Sequence, residues 1–117
     1  MDRTRSAVMH EMGIVTELIN VCSERANGAK VHRVVLTIGK LSCVLPDAVR
    51  FCFELASEGT ALEGATLEIR EKNGLARCRN CGVDVLLDRP FGRCTCGSND
   101  LEWLHGEELG ISEMEVS

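Results

Sequence analysis

Residues 75–104, LARCRNCGVDVLLDRPFGRCTCGSNDLEWL, decide how this chain is organised, because four of its seven cysteines fall here as Cys78-Arg79-Asn80-Cys81 and Cys94-Thr95-Cys96. Two thiolate pairs separated by twelve residues outline a tetrahedral zinc site gripped from two hairpin tips, with room between the pairs for a short strand pair. Zinc ribbons usually repeat C-x2-C, so the single residue between Cys94 and Cys96 demands a tighter turn in the second half. Two disulfides in an exported domain are the competing reading. Met1 to Val8 (MDRTRSAV) has no apolar core of the kind a secretory signal needs, and an odd cysteine count leaves one thiol over. A rubredoxin-like iron site is a third reading of the same spacing.

At 117 residues the chain has the size of one domain, enough for a modest core plus a metal-held lobe. With three Phe, one Trp and no Tyr, aromatic burial cannot fold the cysteine segment, which points to a structural role for its zinc. The net charge of −5 argues against duplex binding, since phosphate attraction requires a concentrated basic surface. Arg77, Arg79, Arg89 and Arg93 gather around the cysteines and are read as offsetting the double negative charge of a four-thiolate zinc. No run approaches the roughly eighteen apolar residues of a membrane span. Abundant thiols suit a reducing compartment, so a cytoplasmic location is expected.

Outward from the cysteines, Met12 to Ala26 reads as an amphipathic helix, with Val15, Ile19, Cys22 and Ala26 at helical spacing and Ile14, Leu18 and Val21 widening the stripe. Asn27-Gly28 ends it. His32 to Gly39 is a strand, expected to be central, with Val34, Leu36 and Ile38 on one side and Val35 and Thr37 on the other. Pro46 and Asp47 open a second helix, whose Val49, Cys52, Phe53 and Ala56 form its apolar stripe before Gly59 closes it. Thr66 to Arg70 alternates as a strand, and Lys72-Asn73-Gly74 breaks the chain ahead of the cysteines. In the tail, Leu109 and Ile111 share one parity while Met114 and Val116 take the other, as a strand bulged near Ser112-Glu113 would. That strand is expected to return to the first sheet. The fold class is therefore α+β: two helices packed on a small β-sheet, with an inserted zinc-ribbon-like lobe. The expected divisions are an N-terminal extension at 1–8, a body at 9–74 and 105–117, and the zinc lobe at 75–104.

Cys22 and Cys52 lie on apolar helix faces and read as core thiols, whereas Cys43 falls in a turn with no base to activate it. His32 and His105 have no partner at metal-ligand spacing. Nothing in the spacing of these residues resembles a catalytic constellation.

A second metal candidate is Met9-His10-Glu11-Met12, ahead of the first helix. Neighbouring His and Glu most often form a solvated helix start, where the helix dipole explains the acid. If Met9 were the first residue, however, its α-amine, the next amide nitrogens and the His10 imidazole would form the planar nitrogen set that Ni(II) and Cu(II) favour.

Met9-His10-Glu11-Met12-Gly13-Ile14-Val15 resembles the opening of the HypA/HybF family of hydrogenase nickel-incorporation proteins. The likeness continues through Val34 to Gly39, Leu41-Ser42, Leu45 to Phe51, the paired cysteines with Gly97-Ser98, and the tail from Glu108 to Val116. It implies a metallochaperone rather than an enzyme, with His10 and Glu11 at the nickel site and Cys78, Cys81, Cys94 and Cys96 holding a structural zinc. Nickel would be transiently bound cargo. The implied partners are a HypB-type GTPase and the [NiFe]-hydrogenase large subunit, with urease maturation factors as a further class; a homodimer is compatible with the sequence. No nucleic acid or membrane partner is implied. The family usually begins at the residue matching Met9, so residues 1–8 would replace the free α-amine with a peptide bond, and its second cysteine pair normally reads C-P-x-C. Acid should release the nickel, since an imidazolium cannot ligate. The competing function is a zinc-ribbon adaptor that binds protein or nucleic acid and never handles nickel.

Overall fold

A computed structural model describes residues 3–117, with side chains from His10 onward. Met1 and Asp2, at the start of the expected extension, lie outside the described residues. The elements run α1 (Arg3–Ala26), β1 (Val31–Gly39), α2 (Pro46–Ala56), β2 (Thr66–Lys72), β3 (Gly74–Cys78), β4 (Asp84–Leu87), β5 (Leu101–His105) and β6 (Leu109–Val116). The strands form two three-stranded sheets, ordered β2-β1-β6 and β4-β3-β5. As expected, β1 is central and the tail strand pairs with it.

The first helix corrects its expected boundary: α1 begins at Arg3 and passes without interruption through Met9–Met12. No proline or capping residue stops it there, and Gly13 costs only about 1 kcal/mol in a helix interior. Counting back from Ala26, Cys22, Ile19 and Val15, the apolar stripe reaches Glu11 one turn earlier, and Glu11 is buried with them. The carboxylate therefore occupies a core position, not a solvated helix start. Arg25 complements the negative end of the helix, and Asn27 at φ +49° ends it in the left-handed region.

The chain divides into two compact units. Of the described residues, one unit comprises those up to 36 with 44–69 and 111–117, the other 37–43 and 70–110. In the first, α1 packs on α2. Val15, Leu18, Ile19 and Cys22 of α1, Val49, Cys52 and Phe53 of α2, and Val31, Val34, Val35 and Leu36 of β1 are its buried apolar residues. Both expected core thiols, Cys22 and Cys52, are fully buried there, and burial first of all raises the pKa of each. Arg33 ties the three strands together, donating to Glu68 of β2 at 3.0 Å and to Glu113 and Glu115 of β6 at 3.2 and 3.1 Å. Glu113 and Glu115 share a face two residues apart, while the partly buried Ile111 and Met114 are three apart, which is the change of parity read in the tail.

In the second unit, β3 is the middle strand, pairing antiparallel with β4 from Gly74↔Leu87 to Arg77↔Asp84 and with β5 down to Cys78↔Leu101. The twelve residues between the cysteine pairs thus hold one strand, β4, rather than the expected strand pair. Its partner is β3, which ends at Cys78, so the first cysteine pair brackets the start of the β3–β4 turn. A small core of Leu41, Ala76 and Leu87, with Val85, Leu101 and Trp103 packed against it, supports this sheet.

Candidate metal centres

Each cysteine pair is closed by a turn of the same construction. Cys78 N–H donates to the Val83 carbonyl at 2.9 Å and Gly82 N–H to the Cys78 carbonyl at 2.8 Å; in the second turn Cys94 N–H donates to Ser98 and Gly97 N–H to Cys94, both at 2.9 Å. A glycine at positive φ follows the second cysteine in both, Gly82 at +79° and Gly97 at +93°, a conformation that L side chains resist. The Cys-Gly step therefore preserves the turn even though the second pair is one residue shorter.

The four Sγ atoms all lie within 4.8 Å of one another. Cys78 and Cys96 are 3.7 Å apart and Cys81 and Cys94 3.5 Å. Disulfide sulfurs are bonded at about 2.05 Å, so these are thiols rather than bridges. Four sulfurs placed tetrahedrally at about 2.3 Å from zinc would be roughly 3.8 Å apart, so the donor set fits the ion in chemistry and in spacing. Cys94, the residue next to the irregular spacing, is buried within this cluster. Backbone N–H groups point at the sulfurs. Those of Cys81 and then Asn80 lower the pKa of Cys78, and the Ser98 N–H, followed by the Asn80 side-chain amide 3.6 Å away, lowers Cys96 to about 6. Cys81 receives the Val83 N–H, yet the neighbouring Cys94 thiol and burial outweigh it and push Cys81 up to about 12. Without a cation, four crowded sulfurs cannot all ionise; a divalent ion removes that conflict. Two of the four arginines are paired with aspartates, Arg77 with Asp84 at 3.2 Å and Arg79 with Asp100 at 3.0 Å. Among the described residues, this is the only group of three or more His, Cys, Asp or Glu side chains gathered as a metal could use them.

The second candidate lies in α1. His10 is exposed, with 67% of its side chain open to solvent, whereas adjacent Glu11 is 1% exposed, and His10 Nε2 stands 3.6 Å from Glu11 Oε1. Glu11 Oε1 is buried without a hydrogen-bond partner among the described residues. Burial raises the Glu11 pKa above its ordinary value, opposed in part by His10 and then by an N–H bond from Leu45 at the start of α2. The Cys52 thiol is close enough for the Glu11 charge to add to the effect of its own burial. Neither the Leu45 N–H nor Cys52 was marked by spacing, because α2 brings both from more than thirty residues away. His32 and His105 are exposed and take part in no metal-ligand group among the described residues. Cys43 is exposed in its turn at φ +63°.

The family model described as "Hydrogenase/urease nickel incorporation, metallochaperone, hypA" matches residues 9–116. The chain belongs to the HypA family. Its members serve nickel incorporation as metallochaperones, which settles the choice against a zinc-ribbon adaptor with no part in nickel handling. Among curated HypA proteins, the hydrogenase maturation factor HypA of Nostoc punctiforme is 56% identical over 108 residues, covering 92% of this chain and 96% of the relative. The HypA of Geotalea uraniireducens is 42% identical over 109 residues, covering 92% and 99%. The solution structure of the Ni metallochaperone HypA from Helicobacter pylori matches with a TM-score of 0.61 at 27% identity, covering 91% of this chain and 96% of that one. A second solution structure of a HypA protein matches with a TM-score of 0.65 at 29% identity, covering 93% and 97%. No helix among the described residues is long and apolar enough to cross a membrane.

Proposed function

We propose that this HypA-family chain carries Ni(II) on His10 and Glu11 and hands it to the [NiFe]-hydrogenase large subunit, working with a HypB-type GTPase in the cytoplasm, with urease maturation as a second destination. The observation that carries this reading is the pairing of an open imidazole with a buried carboxylate oxygen that has no other partner, 3.6 Å apart. A buried carboxylate oxygen without a hydrogen-bond partner is costly, and a divalent cation shared with His10 would offset that cost. One exposed and one buried donor suit cargo: the imidazole takes and releases the ion, while the carboxylate is held in place by the Leu45 N–H. Carriage rather than catalysis is the role that fits a chain of this metallochaperone family.

Cys78, Cys81, Cys94 and Cys96 are assigned to a resident zinc, which when bound would supply four bonds joining the two cysteine turns. The zinc lobe is taken as residues 75–104, inserted in a nickel-binding body of 9–74 and 105–117 behind an extension of 1–8. Nickel titration of the zinc-loaded chain beside His10→Ala tests the assignment. The variant should lose at least tenfold in nickel affinity while keeping about one zinc per chain. Undiminished affinity would remove His10 from the site.

A further inference from the structure

The helix that supplies the N–H to Glu11 turns an unusual face to solvent. Val49, Cys52 and Phe53 of α2 are buried. Flanking them, half-buried Ala48 and exposed Phe51 and Leu55 follow one another at three- and four-residue spacing, a single row along the helix. Phe51 and Leu55 expose 51% and 53% of their surface. Beside them Asp47 and Glu54 of α2, with Glu58 just past the end of the helix, all exposed, form a parallel acidic row. The cation of this helix, Arg50, is engaged, its guanidinium donating to the Leu67 carbonyl at 3.2 Å. At the helix start Leu45, 51% exposed, prolongs the apolar row to the residue whose N–H holds Glu11.

We propose that this face of α2 is a docking surface for a basic amphipathic helix on the protein that receives the nickel. Exposed aromatic and aliphatic side chains at helical spacing are anchors for a partner helix laid alongside. A carboxylate row next to them selects a partner carrying Lys or Arg beside its apolar stripe, and repels an acidic one. The row begins at the residue bonded to Glu11, so an occupant would lie next to the cargo. Only the partner's identity as a nickel receiver rests on the carrier reading; the surface chemistry stands without it.

The test is an NMR titration of the zinc-loaded full chain with two synthetic 18-residue helical peptides, one of Leu and Lys with its leucines at three- and four-residue spacing, the other with Glu replacing Lys. Amide shifts confined to residues 45–58 with the Lys peptide, at least tenfold tighter than with the Glu peptide, are expected. Phe51→Asp should weaken the Lys peptide at least tenfold, and Glu54→Lys about threefold or more, with nickel and zinc uptake unchanged in both. Shifts centred instead on the Glu68, Glu113 and Glu115 cluster, equal binding of the two peptides, or no binding would overturn the proposal. So would shifts of the α2 amides on diluting the protein alone, which would mean that a second copy covers the face. Nickel affinity undiminished in His10→Ala with the Lys-peptide preference intact would fail the carrier reading alone, and the expected nickel loss with no such preference would fail the docking surface alone.

Discussion

Glu11 Oε1 faces His10 Nε2 across 3.6 Å, with Glu11 in the core and His10 in solvent. Burial raises the Glu11 pKa, so its ionisation opposes folding: the penalty is absent below its ordinary value of 4.5 and grows as pH rises through that value. The metal-free protein should therefore lose stability as pH rises above about 4.5. Glu11→Gln should flatten that dependence, making the nickel-free protein the more stable of the two at the alkaline end of the range, while weakening nickel binding. Denaturant unfolding of both proteins at several pH values measures this, and parallel pH profiles would count against it.

Cys94→Ala is the decisive substitution in the second centre. With Cys81 Sγ 3.5 Å from Cys94 Sγ, removal of this thiol should leave three ligands, release zinc and loosen the β3–β4–β5 sheet, because metal binding and folding are coupled there. Zinc analysis with amide exchange reads both effects. Full tetrahedral occupancy in the variant would mean that another group completes the site.

Cys96, lowered to about 6 by the Ser98 N–H and then the Asn80 amide, should favour its thiolate at pH 7 in the reduced, zinc-free chain as long as both cysteine turns persist. Brief alkylation followed by peptide mass analysis should find Cys96 modified well before Cys81, whose thiol is pushed up to about 12. Asn80→Ala should slow the Cys96 reaction and speed the loss of zinc to a chelator. Equal modification of the two cysteines would contradict the arrangement.

Much of this organisation was legible because its signals are local. Alternation over His32 to Gly39 marked the central strand, the parity change after Ile111 marked a tail strand, and the cysteine spacing marked the four-thiol metal site. What was not legible depends on residues that meet only after folding. The short segment Gly74–Cys78 carries no clear alternation, yet it becomes the middle strand of the second sheet. Leu41 belongs to no periodic run and is buried beside Ala76 and Leu87. Glu11 did have a signal, since the stripe through Val15, Ile19, Cys22 and Ala26 points back to it. A carboxylate normally ends such a stripe, and here it continues one.

Because α1 runs through Met9–Met12, the amides beside His10 are committed to helix hydrogen bonds and Met9 has no free amine in this chain. A chain beginning at Met9 offers both, so it should bind nickel about tenfold or more tightly, roughly 1.4 kcal/mol, in a yellow, diamagnetic planar complex. The 117-residue chain should give a paramagnetic, weakly coloured site. Calorimetry and absorption spectra of the two chains side by side compare them, and identical behaviour would show that the amine is not a ligand.

The most direct test of two separate metal centres is nickel K-edge X-ray absorption of the zinc-loaded 117-residue chain with one equivalent of Ni(II). The account predicts a shell of nitrogen and oxygen donors with an imidazole contribution that disappears in His10→Ala, and no sulfur at bonding distance. A nickel–sulfur shell would place the cargo on Cys78, Cys81, Cys94 or Cys96 and contradict the assignment of nickel to His10 and Glu11.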